Sequence, residues 1–218
     1  MYFEASSDFF DTLFNSEKLI HYGGLTLMLI IIYAETGLFL GFFLPGDALL
    51  FTSGLLCGTK DLSINIFVLL IFVTIAAIAG NITGYFTGKF LGPRLFKKED
   101  SWLFSKKHLN KARQFYKKYG GGSIIAGRFL PIVRTFVPIV AGAIKMDVGK
   151  FTIYNIIGAF LWVWSFISIG YLLGKKVPGV LDHIEYIILG IFVVTSFVLV
   201  RGYLTFKKTK KKRAANAK

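Results

Sequence analysis

Four ionisable side chains fall inside long apolar runs of this chain: Glu35, Asp47, Arg128 and Arg134. A charge at the bilayer centre costs roughly 2.5–3.5 kcal/mol on insertion scales, so such residues face a protein interior and mark a pathway by default. Two guanidiniums can grip the oxygens of a phosphate with their planar forks. Two carboxylates beside them can exchange protons, because burial favours the neutral acid while a neighbouring arginine favours the anion. The chemistry these types suggest is anion binding linked to proton movement. Each has a plainer reading: Asp47 as a structural N-cap, the arginines as neutralisers of the acids, and Glu35 as a hydrated group at an outer mouth.

The elements that carry these residues contain helix breakers. Proline lacks a backbone donor and clashes with the preceding turn. Pro45-Gly46 interrupts the run holding Glu35 and Asp47, and Pro131 and Pro138 interrupt the run holding the arginines. On an unbroken helix Arg128 and Arg134 would point about 240° apart. A break at Pro131 lets both turn toward one site. Asp47, ahead of Ala48-Leu49-Leu50-Phe51, reads as an N-cap, and Thr135 or the backbone near it would cap the corresponding half-helix. Both half-helices would then aim their positive dipole ends at the midplane.

The surrounding composition is that of an all-α integral membrane protein. Of 218 residues 54% are hydrophobic, only 17% are charged, and mean hydropathy is +0.60. A spanning helix needs roughly 20 apolar residues, and Leu19–Leu44, Ile64–Leu91, Gly122–Ile144, Phe151–Leu173 and Ile184–Phe206 qualify or nearly do. The net charge of +14 is concentrated in Lys89–Lys118 and Lys207–Lys218. Both clusters flank apolar spans, so the positive-inside rule explains them better than nucleic-acid binding does. They also suit anionic lipid headgroups. Glu4, Asp8 and Asp11 stand where a signal peptide would be basic, so insertion is expected to use internal segments.

With both basic regions in the cytoplasm, Ile64–Leu91 runs inward, Phe151–Leu173 outward and Ile184–Phe206 inward again. Lys175, Lys176 and Pro178-Gly179 would form an outside turn. Leu19–Cys57 and Gly120–Met146 must then each begin and end on one side. That predicts re-entrant hairpins broken at Pro45, Gly46, Pro131 and Pro138, although a full crossing by Leu19–Leu44 stays open.

The expected organisation is an acidic segment 1–18 and a first repeat 19–91, with hairpin 19–58 and transmembrane helix 64–91. A basic amphipathic connector 92–118 follows. The second repeat is 119–175, with hairpin 120–146 and helix 151–173. An outside turn and last transmembrane helix 176–206 precede a basic cytoplasmic tail 207–218. Gly41-Phe42-Phe43-Leu44-Pro45 matches Gly127-Arg128-Phe129-Leu130-Pro131, and Gly84-Tyr85-Phe86-Thr87-Gly88-Lys89 matches Gly170-Tyr171-Leu172-Leu173-Gly174-Lys175, both 86 positions apart. A unit with one hairpin and one span crosses an odd number of times. Its second copy is therefore inverted, an architecture of transporters, and irregular backbone at that depth must line a cavity or be buried.

Other residues carry blander expectations. The one cysteine, Cys57, excludes an intramolecular disulfide and a cysteine metal cluster. His21, His108 and His183 are scattered, so no metal or catalytic site and no cofactor are expected. Asn81 and Asn155 read as helix–helix hydrogen bonds, Trp162 and Trp164 as packing, and Gly37 and Gly41 as a close-approach pair. No nucleophile–base pair or phosphate loop suggests an enzyme.

The ordered set Glu35, Phe43-Leu44-Pro45-Gly46-Asp47, Gly54, Tyr119-Gly120, Gly127-Arg128-Phe129-Leu130-Pro131, Val133-Arg134-Thr135, Ala141-Gly142, Met146, Phe151, Asn155, Gly158 and Trp162 resembles the DedA family, within the SNARE-associated Golgi protein superfamily. The resemblance implies a multi-pass protein of the bacterial cytoplasmic membrane. It implies a flippase returning undecaprenyl phosphate across the membrane with the help of the proton gradient. Phosphate would bind Arg128 and Arg134, and Glu35 and Asp47 would couple protons. The expected partners are membrane lipids and protons, with a homo-oligomer left open and no nucleic acid. A proton-coupled exporter of small cations or drugs, a phospholipid scramblase and a membrane scaffold are the alternatives.

Overall fold

The computed structural model describes residues 16–38, 41, 44–95, 116, 120–177 and 190. Most of the acidic N-terminal segment, of the basic connector and of the last apolar span, and the whole basic tail, lie outside them. Six helices are described: α1 Ser16–Gly37, α2 Gly46–Leu56, α3 Ile66–Leu95, α4 Gly122–Gly127, α5 Pro131–Ala143 and α6 Val148–Lys176. No strand occurs among the described residues.

Two helices are apolar and long enough to cross a membrane, one from Ile66 and one from Val148. At about 1.5 Å rise per residue, α3 and α6 each exceed the roughly 30 Å of hydrocarbon. Polar caps set their starts. Asn65 accepts from the Phe67 amide at 2.8 Å, and Asp147 from the Lys150 amide at 2.8 Å. Both helices show large apolar side chains on their outer faces, including Phe67, Ile71, Ile75, Ile153 and Ile169. Such continuous apolar surface suits lipid.

The shorter helices end where backbone-restricting residues fall. α1 carries a kink at Gly24 (φ 53) and stops at Gly37, and α2 starts directly after Pro45. Pro131 opens α5 at its first turn, where its missing N–H costs nothing. Four expectations need correction. Pro138 does not break the second unit: α5 runs through it to Ala143, a tolerance seen in membrane helices whose neighbours support the freed carbonyl. Asp47 is not an N-cap. Pro45 holds that position without a side-chain capping bond, and Asp47 is the second residue of the helix, within its first turn. Thr135 is likewise inside α5, whose cap is Leu130. Lys175 and Lys176 belong to the last turn of α6 rather than to a turn beyond it, where cations complement the helix dipole.

Packing is reciprocal. α2 lies on α6, α5 lies on α3, and α1 also packs on α3. Small residues set the spacing. A methyl on Gly54 would overlap the Ile167 carbonyl, and one on Gly170 the Phe51 carbonyl. Across the other pair, Gly88 meets the Ile139 carbonyl and Gly142 the Tyr85 carbonyl in the same way. The main core joins α1, α2, α3 and α6 through Ile20, Ile32, Leu49, Leu50, Leu69, Val73 and Ile167. A smaller cluster of Tyr85, Ile124, Ala141, Met146 and Phe151 fastens α4 and α5.

Gly170→Ala is expected to destabilise by about 1–3 kcal/mol, because backbone rather than a movable side chain blocks the methyl. A lower thermal-unfolding midpoint in detergent is the readout. A midpoint equal to the parent's would mean that α2 and α6 do not approach this closely.

Candidate functional site

Glu35, Arg128 and Arg134, all buried, and the partly buried Asp47 meet between the helix ends. Glu35 comes from the last turn of α1 and is fully buried; Asp47 comes from the first turn of α2. Arg134 lies in the first turns of α5, and Arg128 at the end of α4. The hydrated-mouth reading of Glu35 is thereby overturned.

The two arginines have different partners. Arg134 binds both acids: Nη2 donates to Glu35 Oε1, and Nη1 to Asp47 Oδ1 at 2.5 Å. One guanidinium fork bridging two carboxylates is an arrangement lysine cannot reproduce. Arg128 is held by neutral groups. Its Nη2 donates to Asn155 Oδ1 at 2.7 Å and to the Ala77 carbonyl at 3.2 Å. Turning the Asn81 amide so that its oxygen faces the guanidinium lets it accept from Arg128 Nε at 3.1 Å, while its nitrogen donates to the Thr36 carbonyl at 3.0 Å. Asn155 is anchored in turn to the Ile78 carbonyl at 3.1 Å. Among the described residues no carboxylate pairs with Arg128.

Several polar atoms here are buried without a partner among the described residues: Glu35 Oε2, Arg128 Nη1 and Arg134 Nε. Such atoms are costly to leave alone. Glu35 Oε2 rests against Gly46, where a Cβ would overlap it. Gly158 leaves room for Arg128, its virtual Cβ lying 3.0 Å from Arg128 Cδ.

Four residues contribute more to the site than their sequence positions suggest. Trp162 was expected only to pack, yet its Nε1 donates to Asp47 Oδ1 at 2.9 Å. Its ring lies 4.6 Å from the Arg134 guanidinium carbon. Asn81 and Asn155 do bridge helices, but their main service is to Arg128. Gly46 was read as a breaker and is also the recess for a carboxylate. Trp162, unlike Trp164, belongs to the ordered set that carries the family resemblance, and that was the available signal for it. Of the residues expected to break hairpins, Pro45 and Pro131 flank the cluster. Pro138 is buried against Gly84, 3.3 Å from its virtual Cβ. No group of three metal-ligating side chains occurs among the described residues.

A helical bundle with two apolar helices long enough to cross a bilayer, packed around a charge cluster, has the make-up of a membrane protein. The VTT domain family model matches residues 44–172. Protein DedA of Escherichia coli K12 is 40% identical over 192 residues, 88% of this chain and 86% of that protein. The membrane protein Rv0364 of Mycobacterium tuberculosis H37Rv is 43% identical over 168 residues, covering 77% and 73%. The inner membrane protein YqjA of Escherichia coli K12 is 30% identical over 181 residues, covering 81% and 79%. The chain belongs to the DedA family. No solved structure matches it.

Proposed function

We propose that this protein is a translocase for a lipid phosphate, in first place undecaprenyl phosphate, in the bacterial cytoplasmic membrane, and that the proton gradient drives it. The observation that carries the reading is the division of labour between the arginines. Arg134 is neutralised by two acids, whereas Arg128 is a buried cation held only by amides and carbonyls, with Nη1 unpartnered among the described residues. A cation kept in that state is an anchor for an anion. Phosphate, with several acceptor oxygens, fits a free guanidinium edge.

Glu35, Asp47 and Arg134 form the proton-linked part. Two acids share one guanidinium, and Glu35 Oε2 lies against Gly46. Proton uptake there would loosen Arg134 and allow the broken helices to rearrange around the site. The headgroup would sit near Arg128 while the isoprenoid tail stays in the bilayer.

Two re-entrant hairpins in inverted repeats remain part of this reading. α2 and α5, at 11 and 13 residues, would rise only about 16–20 Å at 1.5 Å per residue, too little to span. Gly84 and Gly88 face α5 as Gly170 and Gly174 face α2, the reciprocity that a pseudo-twofold axis produces. The orientation with the C-terminal tail in the cytoplasm rests on the basic residues alone. Cation export is the weaker reading, because both acids that would seat a cation are already tied to Arg134.

The test is reconstitution into vesicles with labelled undecaprenyl phosphate and an imposed pH gradient. Arg128→Ala should raise the half-saturating lipid concentration about tenfold or more, the scale of a lost charge-assisted hydrogen bond. Glu35→Gln should remove acceleration by the gradient. Equal flipping by the Arg128→Ala protein would overturn the anchor. Headgroup-tolerant flipping that survives Glu35→Gln would indicate a scramblase, and proton flux driven by an added cation without lipid would indicate an exporter.

A further inference from the structure

One stripe of α6 serves both halves of the charge cluster. Asn155 accepts from Arg128, Gly158 makes room for it, and Trp162 holds Asp47. These positions recur at helical spacing, so they share a face. Trp162 is fully buried. Its ring lies 4.6 Å from the Arg134 guanidinium and 6.0 Å from that of Arg128, so both cations fall within reach of one π system.

We propose that Trp162 is a positioning residue that couples the anion anchor to the proton-linked acids. The inference rests on the translocase reading for what it couples, but the Trp162–Asp47 contact stands independently. The indole N–H fixes one oxygen of Asp47, the same oxygen that accepts from Arg134. A hydrogen bond to an ionised carboxylate is markedly stronger than one to a neutral acid. Loss of the Asp47 charge therefore releases the ring, and with it the surface against which both guanidiniums rest. The charged group that binds Asp47 is Arg134 from α5, whose guanidinium also holds Glu35 from α1. An anion that neutralises Arg128 acts on the same ring. By linkage the two effects are reciprocal: what protonation does to anion affinity, the anion does to protonation by the same factor.

Two measurements decide it. In the vesicle assay, Trp162→Phe keeps an aromatic face but lacks the donor. It should lose about fivefold or more of the gradient's acceleration while flipping without a gradient changes less. Acceleration equal to the parent's would reduce Trp162 to packing and overturn the proposal. Should Trp162→Phe fail to fold, the second measurement decides without it. In full-length protein carrying Trp102→Phe and Trp164→Phe, Trp162 emission should change on acidification, and Asp47→Asn should abolish that change. A response that persists in the Asp47→Asn protein, or no response in either, overturns the coupling. A parent protein that moves no undecaprenyl phosphate defeats the translocase reading alone, because the emission arm needs no lipid substrate.

Discussion

Arg134→Ala is expected to be the most damaging single change in this protein, lowering stability by about 3–5 kcal/mol, as for a buried pair that loses one partner. Arg134 contacts both Glu35 and Asp47, and Glu35 is wholly shielded. Removing the guanidinium leaves the fully buried Glu35 beside Asp47 without the counter-charge that held both acids. The thermal midpoint in detergent and the yield of monodisperse protein should both fall. Adding Glu35→Gln and Asp47→Asn to the Arg134→Ala protein should recover much of the midpoint, since the stranded charges are gone. It should recover no gradient-driven transport, since the titrating groups are gone too. Arg134→Lys should behave nearer to alanine than to the parent, because an ammonium lacks the fork that reaches two carboxylates. A midpoint unchanged by Arg134→Ala would mean that the ion cluster is not assembled as described.

Gly46→Ala is expected to have the second largest effect, through a single methyl group. Its Cβ would overlap the Glu35 carboxylate, so either Glu35 leaves Arg134 or α2 moves away from α1. Overpacking of this kind costs about 1–3 kcal/mol, and expelling Glu35 adds the loss of its bond to Arg134. Lipid-phosphate flipping should drop about tenfold or more, given that each 1.4 kcal/mol is a factor of ten. Gly122→Ala is the matched control. Gly122 is exposed at the start of α4 with nothing within 4 Å of its virtual Cβ, so that variant should match the parent. Shortening the acid with Glu35→Ala in the Gly46→Ala protein should restore stability but not coupling. Full activity in the Gly46→Ala single variant would show that the recess is not needed.

These expectations depend on features of unequal visibility in the sequence. The two long helices were legible because apolar length needs no partner to be read: a run that exceeds the hydrocarbon thickness has few other uses. Their caps, Asn65 and Asp147, are polar residues where the apolar runs begin. Glu35, Asp47, Arg128 and Arg134 were legible as functional candidates because ionisable residues in apolar segments are too costly to be incidental. Breaks near Pro45 and Pro131 followed from proline chemistry. The same chemistry misled at Pro138, where a well-supported helix absorbs the missing donor. It also misled at Asp47, because an acid just after Pro-Gly looks like a cap whether its side chain turns back to the helix or across to an arginine.

What the amino-acid sequence determined alone, then, is the medium and the inventory. Hydropathy along the chain selects a membrane, and the energetic penalty on buried charge singles out the four residues that matter. Tertiary structure decided the pairing. Arg134 finds its acids 99 and 87 positions away, Arg128 finds amides instead, and Trp162 rather than its neighbour Trp164 faces the cluster. Those choices depend on how six helices are rotated and spaced against one another. Contacts of such long sequence separation are set by packing, to which local propensity and periodicity are blind.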